Sequence, residues 1–593
     1  MRIWIRFVAA FIALSMAAIG STSASAEQYL RPDGSTVSAG ETLITIDEPE
    51  SYESVRKGLT LNEDFGYDES FLCDTFLEER EVCNVATPNM QFSAFHTLPF
   101  CETGDQENCI ENLTFTEEDS DSSVNATLIR SVEGNTYDPV PDIDLHAGGT
   151  ASLWRAPGFL NSEGTDTYAV LAFERQNYSS RLGRFETSTV TVSVVPYVET
   201  QGNYAPIEAF EAEDVLGKTQ VYDSGPGGAC AWVETGLCGK RAGFVGNPTV
   251  SVTVRYSTDI NGWFRGRLTK TDIQVENFSD KNVRVTISGG PVEVPRFAVY
   301  ANRSNTPAVI EEMFPFGSGG SGQLYEAGSG KGAFANDGYS NRPYVILESY
   351  RDAVNDSAFG VSSLWSLESF TLYENQSCFK DSKGLIGVVT TNSTAYEGTE
   401  PTFDSGYLSY KVAGLHYAPD GETVNEGTYD LVMRSDVARC LYGFKNAPVS
   451  ATVAVVGEQG EEKVATTIVS EKDGWLKLAA YGFTFSEKEI QVQLRQSQMK
   501  TLKTFSGSRT SLTSAQKAEI RDVLEKSDGN TKFICTGIRY YEQPMSVNIM
   551  VRKRAKEACD FAKSINPNFS YWYQTKPTKA RSYAGKVFIV SKG

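Results

Sequence analysis

Apolar and β-branched residues recur at period two along most of this chain. Val190-Thr191-Val192-Ser193-Val194-Val195, Val250-Ser251-Val252-Thr253-Val254, Val283-Arg284-Val285-Thr286-Ile287 and Ala451-Thr452-Val453-Ala454-Val455 are the clearest runs. Such alternation puts one face of a strand into a core and leaves the other to solvent. Turn residues cut the runs at short intervals, as in Asp259-Ile260-Asn261-Gly262, Ser288-Gly289-Gly290-Pro291 and Lys472-Asp473-Gly474. Many short strands with this punctuation predict antiparallel, Ig-like β-sandwiches. Trp475 sits in such a run and is expected in a core. Long helical periodicity is absent before residue 510.

The last stretch reads differently. A strand is expected over Leu502–Phe505. A helix follows over Ser511–Lys526, with Ile520, Val523 and Leu524 on one face and Thr513 or Ser514 as its cap. Lys532–Thr536 reads as a strand. Val547–Lys563 reads as a second helix with Val547, Val551, Ala555, Ala558 and Ala562 inward. Phe569–Gln574 and Lys586–Ser591 read as two final strands. The fold class expected is therefore multidomain: mainly β sandwiches, then a small C-terminal α+β domain in the order β-α-β-α-β-β.

Composition shifts suggest the boundaries. Residues 1–26 carry Arg2 and Arg6, an apolar run from Phe7 to Ile19 and Ser23-Ala24-Ser25-Ala26, the pattern of a secretory signal with the mature chain starting at Glu27. The apolar run is short for about 30 Å of hydrocarbon, and no later stretch reads as a transmembrane anchor. A disulfide-bonded β region is expected over 27–200 and a sandwich over 201–300. A Gly/Ser-rich linker or a long loop is expected over 301–345, marked by Gly317-Ser318-Gly319-Gly320-Ser321-Gly322. An Ig-like region over 346–495 and the α+β domain over 500–593 complete the division.

Ten cysteines fall in local couples: Cys73 with Cys83, Cys101 with Cys109, Cys230 with Cys238, Cys378 with Cys440, Cys535 with Cys559. Export makes five disulfides the natural reading, although spacing alone does not prove connectivity. Charge separates the tail from the rest. Residues 500–593 carry about +11, whereas residues 1–499 carry about −32. The acidic whole argues against nucleic acid as a partner, since phosphate binding needs clustered cations.

The second tail helix carries Arg552, Lys556 and Lys563 on one stripe, with Arg554 at the edge of its apolar face. Trp572 lies among the aromatics nearby. Cations beside aromatic rings suit anionic glycans or peptide carboxylates. These five residues are the candidate binding set. The tail resembles the OmpA-like, peptidoglycan-associated domain through Leu512, Gln516 and Ile520, Gly537, Asn548 and Arg554-Ala555. The resemblance implies a peptidoglycan stem-peptide site in which Arg554 corresponds to the family's helix Arg. Ile538, Arg539 and Tyr540 stand in the segment where that family carries a binding Asp. Residues 400–593, through Asp430-Leu431-Val432-Met433-Arg434 and Gly474-Trp475-Leu476-Lys477-Leu478, also resemble large secreted proteins of actinobacteria, which implies an exported protein and no particular activity.

Enzyme signatures are weak. His96, His146 and His416 are the three histidines, and none falls in a paired-ligand or catalytic motif. No metal ligands or catalytic residues are assigned. Calcium is the one cofactor the sequence would suit, at Glu117, Glu118, Asp119 and Asp121 or at Asp138, Asp142 and Asp144. The expected function is a secreted, non-enzymatic cell-surface protein. Its basic tail would attach to anionic cell-wall glycan or peptidoglycan. A secreted hydrolase or carbohydrate-active enzyme and an adhesin are the alternatives.

Overall fold

The computed structural model describes residues 37–592 apart from short internal segments, the longest at 49–57 and 315–323. The expected signal segment lies outside the described residues. The chain is mainly β, with sheets stacked in layers.

Nine strands of one large sheet carry the architecture: β1 (Met90–Thr97), β2 (Thr167–Ser179), β3 (Arg184–Gln201), β4 (Gly262–Arg267), β5 (Ser366–Phe370), β6 (Leu385–Thr391), β7 (Glu426–Arg434), β8 (Thr466–Lys472) and β9 (Trp475–Thr484), with Gly58–Glu63 and then the edge strand Ser70–Cys73 beyond β1. Their spatial order is β1-β2-β3-β5-β4-β6-β7-β9-β8. Neighbours are antiparallel except β4 and β6, which run parallel.

Both faces of this sheet are covered, and that explains its continuous apolar runs. Every residue of β6 is buried. On β4, Trp263 enters one core and Phe264 the other. Leu431 and Val432 on β7 divide in the same way. One face packs on a five-stranded sheet that includes Cys109–Thr116 and Thr249–Ser257. The other meets a four-stranded sheet (Glu41–Asp47, Val292–Asn302, Gly330–Phe334, Gly360–Leu364), a six-stranded sheet and short helices such as Arg342–Tyr350.

Hydrogen bonding crosses the divisions expected at 200, 300 and 345. Thr191–Ser193 of β3 pairs with Ser366–Glu368 of β5, and Glu41–Ile46 pairs with Phe297–Asn302. The strands of the body are thus interleaved across those divisions. The 301–345 stretch is also more than a linker. Gly330–Phe334 is a strand parallel to Glu41–Asp47. A Cβ at Gly332 would stand 2.6 Å from Asp47 Oδ2, so glycine here permits close packing. The segment 317–322 lies outside the described residues.

The tail has its own sheet and core. Its elements are β10 (Gln498–Thr501), α1 (Ser514–Glu525), β11 (Lys532–Tyr540), α2 (Met545–Ile565), β12 (Ser570–Thr578) and β13 (Val587–Lys592). The order is the expected β-α-β-α-β-β, and the sheet runs β10-β13-β11-β12. The first strand falls earlier than expected, because Leu502 and Phe505 are buried in the core as loop residues. Thr513 caps α1 reciprocally: its Oγ1 accepts from Gln516 N at 3.2 Å, and Gln516 Oε1 accepts from Thr513 N at 2.8 Å.

All five cysteine couples stand at disulfide distance in the expected pairing. They point to an oxidising compartment. Among the described residues, no helix is long and apolar enough to cross a membrane.

Candidate functional site

The tail candidates separate into three settings. Arg552, Lys556 and Lys563 are exposed on the outer side of α2. Lys556 Nζ lies 2.6 Å from Asp560 Oδ2 one turn on, so part of its charge is met locally. Trp572 is 60% exposed. Its neighbours Tyr571 and Tyr573 pack on the tail core beneath the helices, so alternation turns Trp572 to the opposite face of the sheet. The aromatic that joins the helix cations is Tyr573, whose ring lies 5.7 Å from the Arg552 guanidinium carbon. Period-two reading of Tyr571-Trp572-Tyr573 contains this division.

Arg554, expected at the edge of the apolar face, is buried. It donates from Nε to Arg509 O at 2.8 Å, from Nη1 to Gly585 O at 3.0 Å and from Nη2 to Gly507 O at 2.5 Å. Gly507 and Gly585 both adopt positive φ, which turns their carbonyls inward. The guanidinium also lies 4.9 Å from the Phe505 ring centre. Among the described residues its partners are carbonyls rather than a carboxylate, and burial alone pulls its pKa down. Arg554 therefore clasps two loops together and, among the described residues, hydrogen-bonds to carbonyls alone.

One carboxylate of each expected calcium cluster is ion-paired. Glu118 Oε1 lies 3.0 Å from Lys270 Nζ. Asp144 lies 2.7 Å from Lys281 Nζ and 3.3 Å from Arg184 Nη1. Asp138 and Asp142 are exposed, and Asp119 and Asp121 lie outside the described residues. These cations sit where calcium was expected.

Sequence reasoning missed a different gathering. His96 on β1 stands directly opposite Glu174 on β2 in the ladder. His96 Nε2 lies 2.8 Å from Glu174 Oε2. His146, from the loop beyond Leu145, brings Nδ1 to 3.0 Å from the same oxygen and 3.1 Å from Oε1. Thr187 Oγ1 donates to Oε1 at the irregularity in β3 between Thr187 and Thr189. Gln176, next along the same face of β2, accepts from His146 N and donates to Asp144 O, which anchors the loop. Glu174 is fully buried. Burial pushes its carboxyl up, but the charge of His146 and the hydrogen bonds from both imidazoles outweigh this and hold it well below the usual carboxylate range. Strand pairing joins residues 78 apart, so no local motif marks the cluster. The available signal was an acidic residue in the apolar run Tyr168-Ala169-Val170-Leu171-Ala172-Phe173-Glu174.

A cleft of about 1020 Å³ also opens between the later part of β3 and the strands Val292–Asn302, Gly330–Phe334 and Gly360–Leu364. Glu163, Glu293, Asp337, Arg241, Arg296 and Arg342 line it. No protein-family model and no curated protein matches this chain.

Proposed function

We propose that this is a secreted, non-enzymatic cell-surface protein whose β body is displayed while the tail domain attaches to an anionic wall polymer, glycan or peptidoglycan. The carrying observation is the charge imbalance of the tail. Its own acidic residues leave about eleven excess positive charges, which solvent ions, the acidic body or an anionic partner must meet. Arg552 and Lys563 present part of that charge outward, and Trp572 offers a ring on the other sheet face. Since Arg554 is engaged by loop carbonyls, broad electrostatic attachment fits better than one stem-peptide pocket. The test is cosedimentation of the full secreted chain with purified cell wall across a salt series. Binding should fall as salt rises, and the double variant R552E/K563E should bind more weakly. No binding at low salt sinks the proposal.

The polar cleft favours one second reading, a secreted hydrolase or carbohydrate-active enzyme. It requires polysaccharide cleavage by the wild type and its loss in E163Q or D337N. No release of reducing ends from wall glycans overturns it.

A further inference from the structure

The geometry points to a divalent transition-metal site at His96, His146 and Glu174, which we propose takes Zn²⁺ or a neighbouring ion of similar preference. Among the described residues this is the group of three metal-type side chains whose ligand atoms all lie within 4.8 Å of one another. The spacing suits a common ion. With bonds of about 2.1 Å, adjacent ligand atoms stand roughly 3.0 Å apart in an octahedral arrangement and roughly 3.4 Å in a tetrahedral one. Each imidazole nitrogen here already stands 2.8 or 3.0 Å from Glu174 Oε2. An ion could take the place of the shared protons with small side-chain adjustments.

The donor set selects the class. Two imidazole nitrogens and one carboxylate oxygen suit Zn²⁺, Co²⁺, Ni²⁺ or Cu²⁺. Calcium and magnesium ask for more oxygens.

The setting is built rather than incidental. Two of only three histidines in 593 residues converge on one carboxylate. His96 and Glu174 are buried and held by the strand ladder. Thr187 orients the carboxylate, and Gln176 fixes the loop carrying His146, the kind of outer support that metal ligands receive. The nearby cations Lys281 and Arg184 are engaged with Asp144, so an ion would supply positive charge directly at Glu174. The His146 side chain keeps 18% exposure, which gives a route in from solvent. Bound there, the metal would clamp the 144–146 loop to β1 and β2.

The experiment uses the full secreted chain, stripped with a chelator and titrated with Zn²⁺ by calorimetry, and with Co²⁺ while visible absorption is recorded. One ion per chain is expected, with Co²⁺ bands showing nitrogen and oxygen ligation. Thr187→Val should weaken binding about 10–100-fold, as loss of an outer partner does. His146→Ala, in a partly exposed loop, should weaken it further and abolish the Co²⁺ bands. If the wild type takes up none of Zn²⁺, Co²⁺, Ni²⁺ or Cu²⁺ at stoichiometric levels, the cluster is a hydrogen-bonded strut and the proposal fails. Unchanged affinity and spectrum in both variants would place the ion elsewhere and overturn it as well.

Discussion

Burial raises two carboxylates alike, but their neighbours leave them with opposite net shifts. Asp430 on β7 accepts from Tyr481 Oη at 2.7 Å and from Lys270 N at 3.1 Å. Burial exceeds what these bonds return, and its pKa is pushed up to about 6. The unfolded value is about 3.9. Its contribution to stability is therefore fully present below about pH 4 and is lost as the pH rises through about 6. The shift corresponds to about 3 kcal/mol. Asp430→Asn should flatten this part of the stability profile, which urea unfolding at pH 4.5 and 7.5 will show. An unchanged profile would remove Asp430 as its source. Glu174 has the reverse sign: its folded value is depressed, so its contribution is present above the ordinary carboxylate range and fades as the pH falls through the folded value. At the cap of α1, Thr513→Ala removes a reciprocal bond and should cost the tail about 1 kcal/mol by denaturant titration.

At the scale of elements, close approach and cross-links set the geometry. A Cβ at Gly537 on β11 would stand 2.5 Å from Val551 Cγ1 and 2.6 Å from Val551 O on α2. Gly537→Ala must lift the helix off the sheet. Overpacking of this kind costs about 1–3 kcal/mol, and a lowered tail melting temperature is the expected readout. The Cys378–Cys440 bridge closes a separation of 62 residues, against 8 for Cys101–Cys109. Chain entropy then predicts about 4 kcal/mol for the long bridge and about 2.5 for the short one. Replacing each pair by Ala and comparing midpoints tests that order. A larger loss at Cys101–Cys109 would contradict the loop-entropy account.

For the whole molecule, the central sheet makes the body one unit. β4, β6 and β7 contribute side chains to both of its main cores, so disruption of one core reaches the other through shared strands. The tail has a separate sheet and core. Calorimetry should resolve two transitions, with Thr513→Ala and Gly537→Ala moving only the one assigned to the tail. A single transition displaced by either variant would show instead that tail and body unfold together.

The sequence by itself determined the β class of the body, the tail's order of elements, the cysteine couples and the charge reversal. Each is local or compositional: period-two alternation, a helical face such as Val551-Ala555-Ala558-Ala562, short loops, counted charges. Only the tertiary structure decided which strands are neighbours. β3 meets β5 across more than 160 residues of sequence, and no one-dimensional pattern encodes a pairing so distant. The same limit hid the site chemistry. His96, His146 and Glu174 are dispersed along the chain and become adjacent only when β1 pairs with β2 and Gln176 holds the intervening loop. It also redistributed the tail residues: alternation turned Trp572 away from Arg552, and two inward-facing carbonyls drew Arg554 into the interior.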